Sequence, residues 1–176
     1  GRILFQNLPR INNSISDGSL ANDPKLLKLI SDLKASGKSC HIAGLLSDGG
    51  VHSHIDHIIF LAELLAKNGI NVLLHAFLDG RDVAQKSALN YLEKLKNIKV
   101  ATISGRHYAM DRDSNWDRVK LAYDVMAFGG KGENCDAISA VKKSYENSIN
   151  DEFVLPCCIG DYKGFEDGDA LLFCNF

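Results

Sequence analysis

The sequence predicts a three-layer α/β/α domain with a mostly parallel, possibly mixed, sheet. Three apolar runs at residues 40–46, 70–78 and 98–104 are short and nearly free of charged residues, which is typical of strands buried on both faces. Each run is followed by a polar loop and then by a helical pattern. This alternation indicates strand–helix units arranged around one sheet.

Caps and apolar spacing predict the helices. Asp23 and Pro24 are expected to start the first clear helix, with Leu26, Leu27 and Ile30 facing the core. The pair Ser53 and Asp56 resembles a capping box at the start of the second, whose predicted buried stripe is Ile58, Ile59, Ala62, Leu65 and Ala66. The remaining predictions are helices at 53–68, 85–96, 116–128 and 135–147 and closing strands at 153–156 and 170–176.

Size and composition narrow the possible function classes. The 176 residues suit one domain, and the net charge of -2 argues against a nucleic-acid or anionic-membrane partner. No apolar run approaches the roughly 20 residues that span a bilayer. The five cysteines lack CxxC spacing, which predicts reduced thiols in a cytoplasmic protein.

The loops that follow the three apolar runs carry most of the candidate chemistry. They read SDGGVHSH, DGRD and GRHYAMDRD, and the carboxyl ends of parallel strands are where such sheets bind ligands. Arg81, Arg106 and Arg112 offer planar charged groups suited to phosphate or carboxylate. Asp82 is a candidate acid–base group. No GxSxG elbow, P-loop or GxGxxG is present, so a nucleophile is expected from elsewhere.

The histidines in SDGGVHSHIDH allow two kinds of site. Three imidazoles and a nearby carboxylate could ligate a metal, but a cation would be repelled by the three loop arginines. An anion cradle that uses His52 is therefore favoured. His54 and His57 are assigned to the helix start, and His41 and His75, which lie inside predicted strands, to the core.

Several ordered motifs resemble one enzyme family. GLLSDGGVHSHIDH, LHAFLDGRD, SGRHYAMDRDSNWDRV, FCNF and the opening GRILFQNLPRINNSISDGSL are together similar to 2,3-bisphosphoglycerate-independent phosphoglycerate mutase. The resemblance spans nearly the whole chain. It implies a cytoplasmic, monomeric isomerase of glycolysis and gluconeogenesis that interconverts 3-phosphoglycerate and 2-phosphoglycerate without 2,3-bisphosphoglycerate.

The resemblance also implies a second domain. In the family, a phosphatase-like domain holds two divalent metals, usually manganese, and the serine that becomes phosphorylated. Residues 1–176 then correspond to the inserted substrate-binding (phosphotransferase) domain, with 1–20 and 171–176 as cut connections to the metal-binding domain. No metal is expected in this chain, and the chain alone is expected to be inactive.

Carried over residue by residue, the resemblance implies specific roles. His52 would meet the substrate phosphoryl group, and Arg81 and Asp82 would contact the substrate. Asp82 would be the general acid–base, while Arg106 and Arg112 would hold the carboxylate and phosphate.

Two departures and two alternatives stay open. His107 stands where the family usually has Tyr or Phe, and the Arg-containing run after FCNF lies beyond Phe176. A non-catalytic module that senses a phosphorylated metabolite would lack metal-ligand and serine motifs in its full reading frame. A histidine-based metal protein would bind stoichiometric zinc or manganese at HSHIDH.

Overall fold

The computed structural model describes residues 6–130 and 136–176, so Cys135 lies outside the described residues. The helices within these ranges are α1 (Asn7–Ser16), α2 (Pro24–Ser36), α3 (Ile55–Lys67), α4 (Ala88–Lys94), α5 (Arg106–Ala109), α6 (Trp116–Phe128) and α7 (Ala137–Glu146). The strands are β1 (Cys40–Leu45), β2 (Val72–Leu78), β3 (Lys99–Gly105), β4 (Cys157–Cys158) and β5 (Ala170–Phe173). In the described ranges, no helix is both long and apolar enough to cross a membrane.

The strands form one sheet in the order β4–β3–β2–β1–β5. Three strand pairs are parallel, and β4 alone runs antiparallel to its neighbour β3. The helices and the sheet together confirm the predicted three-layer α/β class. Because β1, β2 and β3 run in the same direction, the loops that follow them emerge at one edge.

Both faces of the sheet are covered, which explains the unbroken apolar runs. Successive side chains of a strand point to opposite faces. In β2, Leu74, Ala76 and Leu78 belong to the larger core, which α2, α3, α4 and α7 complete. Leu73 and Phe77 point the other way, into smaller clusters under α6 and the segment that precedes β5.

Helix α2 begins as predicted, and two of its three predicted core residues, Leu26 and Ile30, are buried. The Asp23 carboxylate accepts hydrogen bonds from the N–H groups of the first turn. The prediction that Leu27 faces the core is wrong, since its side chain is 47% exposed. The buried residues are Leu26, Ile30 and Leu33, which follow the i, i+4, i+7 spacing of one helix face.

The start of α3 differs from the predicted capping box. His54 is the N-cap, and its Nδ1 accepts a hydrogen bond from the Asp56 N–H at 3.2 Å. The Ser53 hydroxyl has no hydrogen-bond partner among the described residues. Within the predicted stripe, Ala66 is exposed and Ile59 is half-buried. Both lie beside the buried face of α3, which is formed by Ile55, His57, Ile58, Leu61, Ala62 and Leu65.

The strand predicted at 153–156 is wrong. Residues Asp151–Phe153 form a 3₁₀ turn, and the paired strand β4 comes only after it. Pro156 lacks an N–H and cannot donate to a sheet ladder. The segment still contacts the sheet, since the Gly105 N–H donates to the Val154 carbonyl at 2.8 Å.

Asp151 sets the start of α4, which is shorter than the predicted 85–96. Its buried carboxylate accepts hydrogen bonds from the N–H groups of Ser87 and Ala88 at 2.8 and 2.9 Å and from the Tyr145 hydroxyl. A Cβ at Gly80, where φ is +68°, would lie 2.9 Å from the Asp151 Cβ. The DGRD loop therefore packs directly on this segment.

His41 and His75 lie in the core, as predicted, and they form a hydrogen-bonded chain. His41 Nδ1 lies 2.9 Å from His75 Nε2, His41 Nε2 lies 3.2 Å from an Asp169 carboxylate oxygen, and His75 Nδ1 lies 2.9 Å from Thr102 Oγ1. Since a carboxylate only accepts, each imidazole carries its proton on Nε2 and the Thr102 hydroxyl donates. The chain joins three strands to the segment that precedes β5.

This histidine pair predicts acid sensitivity. Burial, together with the nearby His41, lowers the pKa of His75 from 6.5 to about 3. The unfolded chain therefore binds protons that the folded chain excludes, and stability present above pH 6.5 is lost as the pH falls toward 3. We expect the free energy of unfolding, measured by urea denaturation between pH 7 and 4, to fall less steeply for His75→Gln. The partly exposed His54→Gln is the control, and an unchanged slope in His75→Gln would contradict the prediction.

Candidate functional site

The loops after β1, β2 and β3 meet at one buried carboxylate. The Ser47 hydroxyl, from the first loop, donates to Asp79 Oδ2 at 2.6 Å. Arg106, from the third loop, donates through Nη1 to Asp79 Oδ1 at 2.7 Å. The structure therefore brings together the loops that the sequence places at this edge of the sheet.

A buried ion cluster forms around Arg106. The same Nη1 also donates to Asp82 Oδ2 at 2.6 Å, and the Arg106 side chain is only 8% exposed. Burial opposes charge on both partners, but the contacts outweigh it. Hydrogen bonds from Ser47, the Asp82 and Arg81 N–H groups and Arg106 hold the pKa of Asp79 below its ordinary value, and the two carboxylates raise the pKa of Arg106.

His52 and Asp82 face each other at the solvent side of this cluster. His52 Nε2 lies 4.0 Å from Asp82 Oδ2, and both side chains are partly accessible. Gly49 lets the first loop approach, since a Cβ there would lie 3.2 Å from the Asp82 Cβ. An imidazole and a carboxylate at this spacing can exchange protons with a bound hydroxyl group.

The other two predicted arginines are exposed. Arg81 is 60% exposed, and its Nη1 lies 3.6 Å from Glu152 Oε1, a long contact of small net value at a surface. Arg112 is exposed in the loop whose turn is set by the Asp111 carboxylate, which accepts the N–H groups of Asp113 and Asn115. His52, Asp82 and Arg106 thus lie together, while these two arginines face solvent.

The remaining histidines of HSHIDH are committed elsewhere. His54 caps α3, and His57 Nε2 lies 2.6 Å from Asn12 Oδ1 on α1. Across residues 6–130 and 136–176, no group of three or more His, Cys, Asp or Glu side chains is placed to hold a metal ion. The described donors therefore do not fit a divalent metal centre.

Comparison with known proteins identifies the family. Residues 11–176 match the family model described as BPG-independent PGAM N-terminus (iPGM_N). The chain belongs to this family. The chain is 48% identical to a 2,3-bisphosphoglycerate-independent phosphoglycerate mutase from Gluconobacter oxydans and 47% identical to one from Rhodopseudomonas palustris. All of this chain aligns with each relative, but it spans only 36% of their length.

A solved structure shows the same fold. The phosphoglycerate mutase of Leishmania mexicana, crystallised at low cobalt concentration, is 28% identical to this chain with a TM-score of 0.88. The match covers 99% of this chain and 36% of that protein. The iPGM_N fold is therefore shared along nearly the whole length.

Two contributors to the candidate site, Asp79 and Ser47, are not singled out by the sequence pattern. Asp79 with Gly80 is a common turn signal, and Asp79 Oδ1 does accept the N–H groups of Arg81 and Asp82. Its burial beside Arg106 distinguishes it from an ordinary turn residue, and burial depends on contacts between distant segments. The one local signal is its position directly after a buried strand.

His107 occupies an aromatic environment. Its ring lies 4.9 Å from the Phe153 ring and 5.1 Å from the Tyr108 ring, measured between centroids. The His107 imidazole therefore packs against aromatic rings, as a phenyl or phenol side chain would.

Proposed function

We propose that this chain is the substrate-binding, phosphotransferase domain of a 2,3-bisphosphoglycerate-independent phosphoglycerate mutase. The full-length protein would interconvert 3-phosphoglycerate and 2-phosphoglycerate. The observation that carries the proposal is the cluster of His52, Asp82 and Arg106 at the strand ends. Membership of the iPGM_N family supports the same reaction.

The arginines would hold the substrate anion. Arg81 is exposed and weakly paired with Glu152, so its guanidinium is available to exchange that carboxylate for a phosphate or carboxylate of the substrate. Arg112 would contribute a second planar fork from the third loop. Each charge-assisted hydrogen bond contributes about 1.5–3 kcal/mol.

Asp82 would handle the proton. In the return step, a glycerate hydroxyl attacks the phosphorylated serine of the other domain. The new O–P bond forms at that hydroxyl oxygen as the serine O–P bond breaks. The electron pair of the broken bond goes to the serine oxygen, and the hydroxyl proton passes to Asp82. His52, 4.0 Å from Asp82, would donate a hydrogen bond to the phosphoryl group. Arg106 would keep the Asp82 carboxylate in place.

The rest of the polypeptide would supply the serine and the metals. Among the described residues, no group of three or more His, Cys, Asp or Glu side chains is placed to hold a metal ion. By the family resemblance, two divalent ions, usually manganese, would bind in the other domain. Both described ends of the chain contact the first loop. The Phe176 N–H donates to the His52 carbonyl at 2.8 Å, and a Cβ at Gly50 would lie 2.8 Å from Leu8 Cδ2. By the family resemblance, 1–20 and 171–176 would be the connections to that domain.

Cellular setting and assembly belong to the same proposal. A cytoplasmic location is supported by the thiols of Cys40, Cys158 and Cys174, which form no disulfide. The monomeric state remains a prediction.

Activity of the full-length protein tests the proposal. The full-length protein, incubated with 3-phosphoglycerate and manganese but no 2,3-bisphosphoglycerate, should form 2-phosphoglycerate. Phosphorus NMR measures the product. The 176-residue chain alone should form none. The proposal is contradicted if the full-length protein needs 2,3-bisphosphoglycerate or if the isolated chain turns over.

A further inference from the structure

Asp79 is the most heavily hydrogen-bonded side chain of the site. Its carboxylate is 1% exposed and accepts four hydrogen bonds. The donors are the Ser47 hydroxyl, the N–H groups of Arg81 and Asp82, and Arg106 Nη1. These donors come from all three loops, so one side chain links the whole edge of the sheet.

We infer that Asp79, oriented by Ser47, is a positioning residue for the phosphoglycerate site. It holds the Arg106 guanidinium and the backbone that presents Asp82. The inference rests on the proposed function, and it concerns a residue that contacts site residues rather than substrate.

The two oxygens of Asp79 have separate tasks. Oδ2 receives the Ser47 hydroxyl, while Oδ1 receives Arg106 and both backbone N–H groups. A guanidinium is planar, so a fixed Nη1 sets the direction of its other N–H groups. Arg106 Nη1 is shared between the carboxylates of Asp79 and Asp82. Because Asp79 is charged, Arg106 has a second counter-ion besides Asp82.

Asp169 is a second buried carboxylate, and it serves as an example of a purely structural role. It also accepts two backbone N–H groups, from Ser39 and Glu166, and it accepts a hydrogen bond from the neutral His41 imidazole. Its partners lie at the opposite end of the sheet, where β1 begins. Asp79 differs because its partners include Asp82 and Arg106, two of the candidate site residues.

The test is steady-state kinetics of full-length Asp79→Asn. Asparagine keeps the size of the side chain and can still accept the backbone N–H groups, but it removes the charge that holds Arg106. We expect KM for 3-phosphoglycerate to rise and kcat/KM to fall about 100-fold, since displacement of about 1 Å can cost that much. Ser47→Ala, which leaves the ion pair and removes only the orienting hydroxyl, should lower kcat/KM about fivefold.

Asp169→Asn is the matched control. It should lower the melting temperature and leave KM unchanged, as expected for a residue that supports only the fold. The positioning role is overturned if Asp79→Asn behaves like this control, with unchanged KM. If Asp79→Asn does not fold, an unchanged kcat/KM in Ser47→Ala overturns it instead. An inactive wild-type protein would overturn the proposed function itself, and the inference with it.

Discussion

Replacing Asp82 with asparagine in the full-length protein is expected to lower kcat by about 10²–10⁴-fold, the usual contribution of a general acid–base. Asparagine has nearly the same shape and can accept the hydrogen bond that Arg106 donates to Asp82 at 2.6 Å. It cannot take a proton from the glycerate hydroxyl. The loss should therefore appear in kcat, measured by the rate of 2-phosphoglycerate formation, with little change in KM.

Asp113→Asn is the control for this variant. Asp113 is exposed in the third loop, and the structure gives its side chain no contact with the cluster. Its kcat should stay within about twofold of wild type, as for surface substitutions away from special features. Retention of more than a tenth of wild-type kcat by Asp82→Asn would remove Asp82 from the proton transfer.

Replacing Arg106 with methionine is expected to lower the free energy of unfolding by about 3–5 kcal/mol, the cost of breaking a buried ion pair from one side. Asp79 and Asp82 would lose the cation that both contact. Asp79 is almost fully buried, so its carboxylate would remain with only neutral donors. Urea denaturation followed by circular dichroism measures the change.

Arg118→Met is the matched control for stability. Arg118 also pairs with a carboxylate, that of Asp111 at 3.3 Å, but its side chain is 38% exposed. Only the arginine of this pair is partly exposed, but the buried Asp111 carboxylate keeps its hydrogen bonds from Asp113 and Asn115. The loss of Arg118 should therefore cost about 0–1 kcal/mol. Equal destabilisation by both variants would show that the Arg106 cluster is not a buried ion network.

The fold could be predicted because its signals are local. The buried strands β1, β2 and β3 are continuous apolar runs, and α2 carries its own Asp23 cap. The positions of the three loops follow from parallel strands alone. The predicted bounds of an element were wrong where a contact with a distant segment sets the start of that element. The start of α4 is set by Asp151, more than sixty residues further along the chain, and no local pattern reports that contact.

Three members of the candidate cluster could be predicted from the sequence, but their pairing could not. His52, Asp82 and Arg106 stand in loops that the sheet must bring together. The sequence does not reveal that Arg106 turns inward to two carboxylates while Arg81 remains exposed. Asp79 looked like a turn residue because the same oxygen that closes the turn also receives Arg106.

The central claim, a phosphoglycerate site at the strand ends, is tested most directly by NMR of the full-length protein. The measurement follows how the six histidines of this chain respond to 3-phosphoglycerate. Labelled imidazoles separate His52 at the site from His41 and His75 in the core. Titration to saturation should shift the His52 resonances and leave those of His41 and His75 in place. An unchanged His52 signal at saturation, or a shift confined to the buried pair, would contradict a phosphoglycerate site at these strand ends.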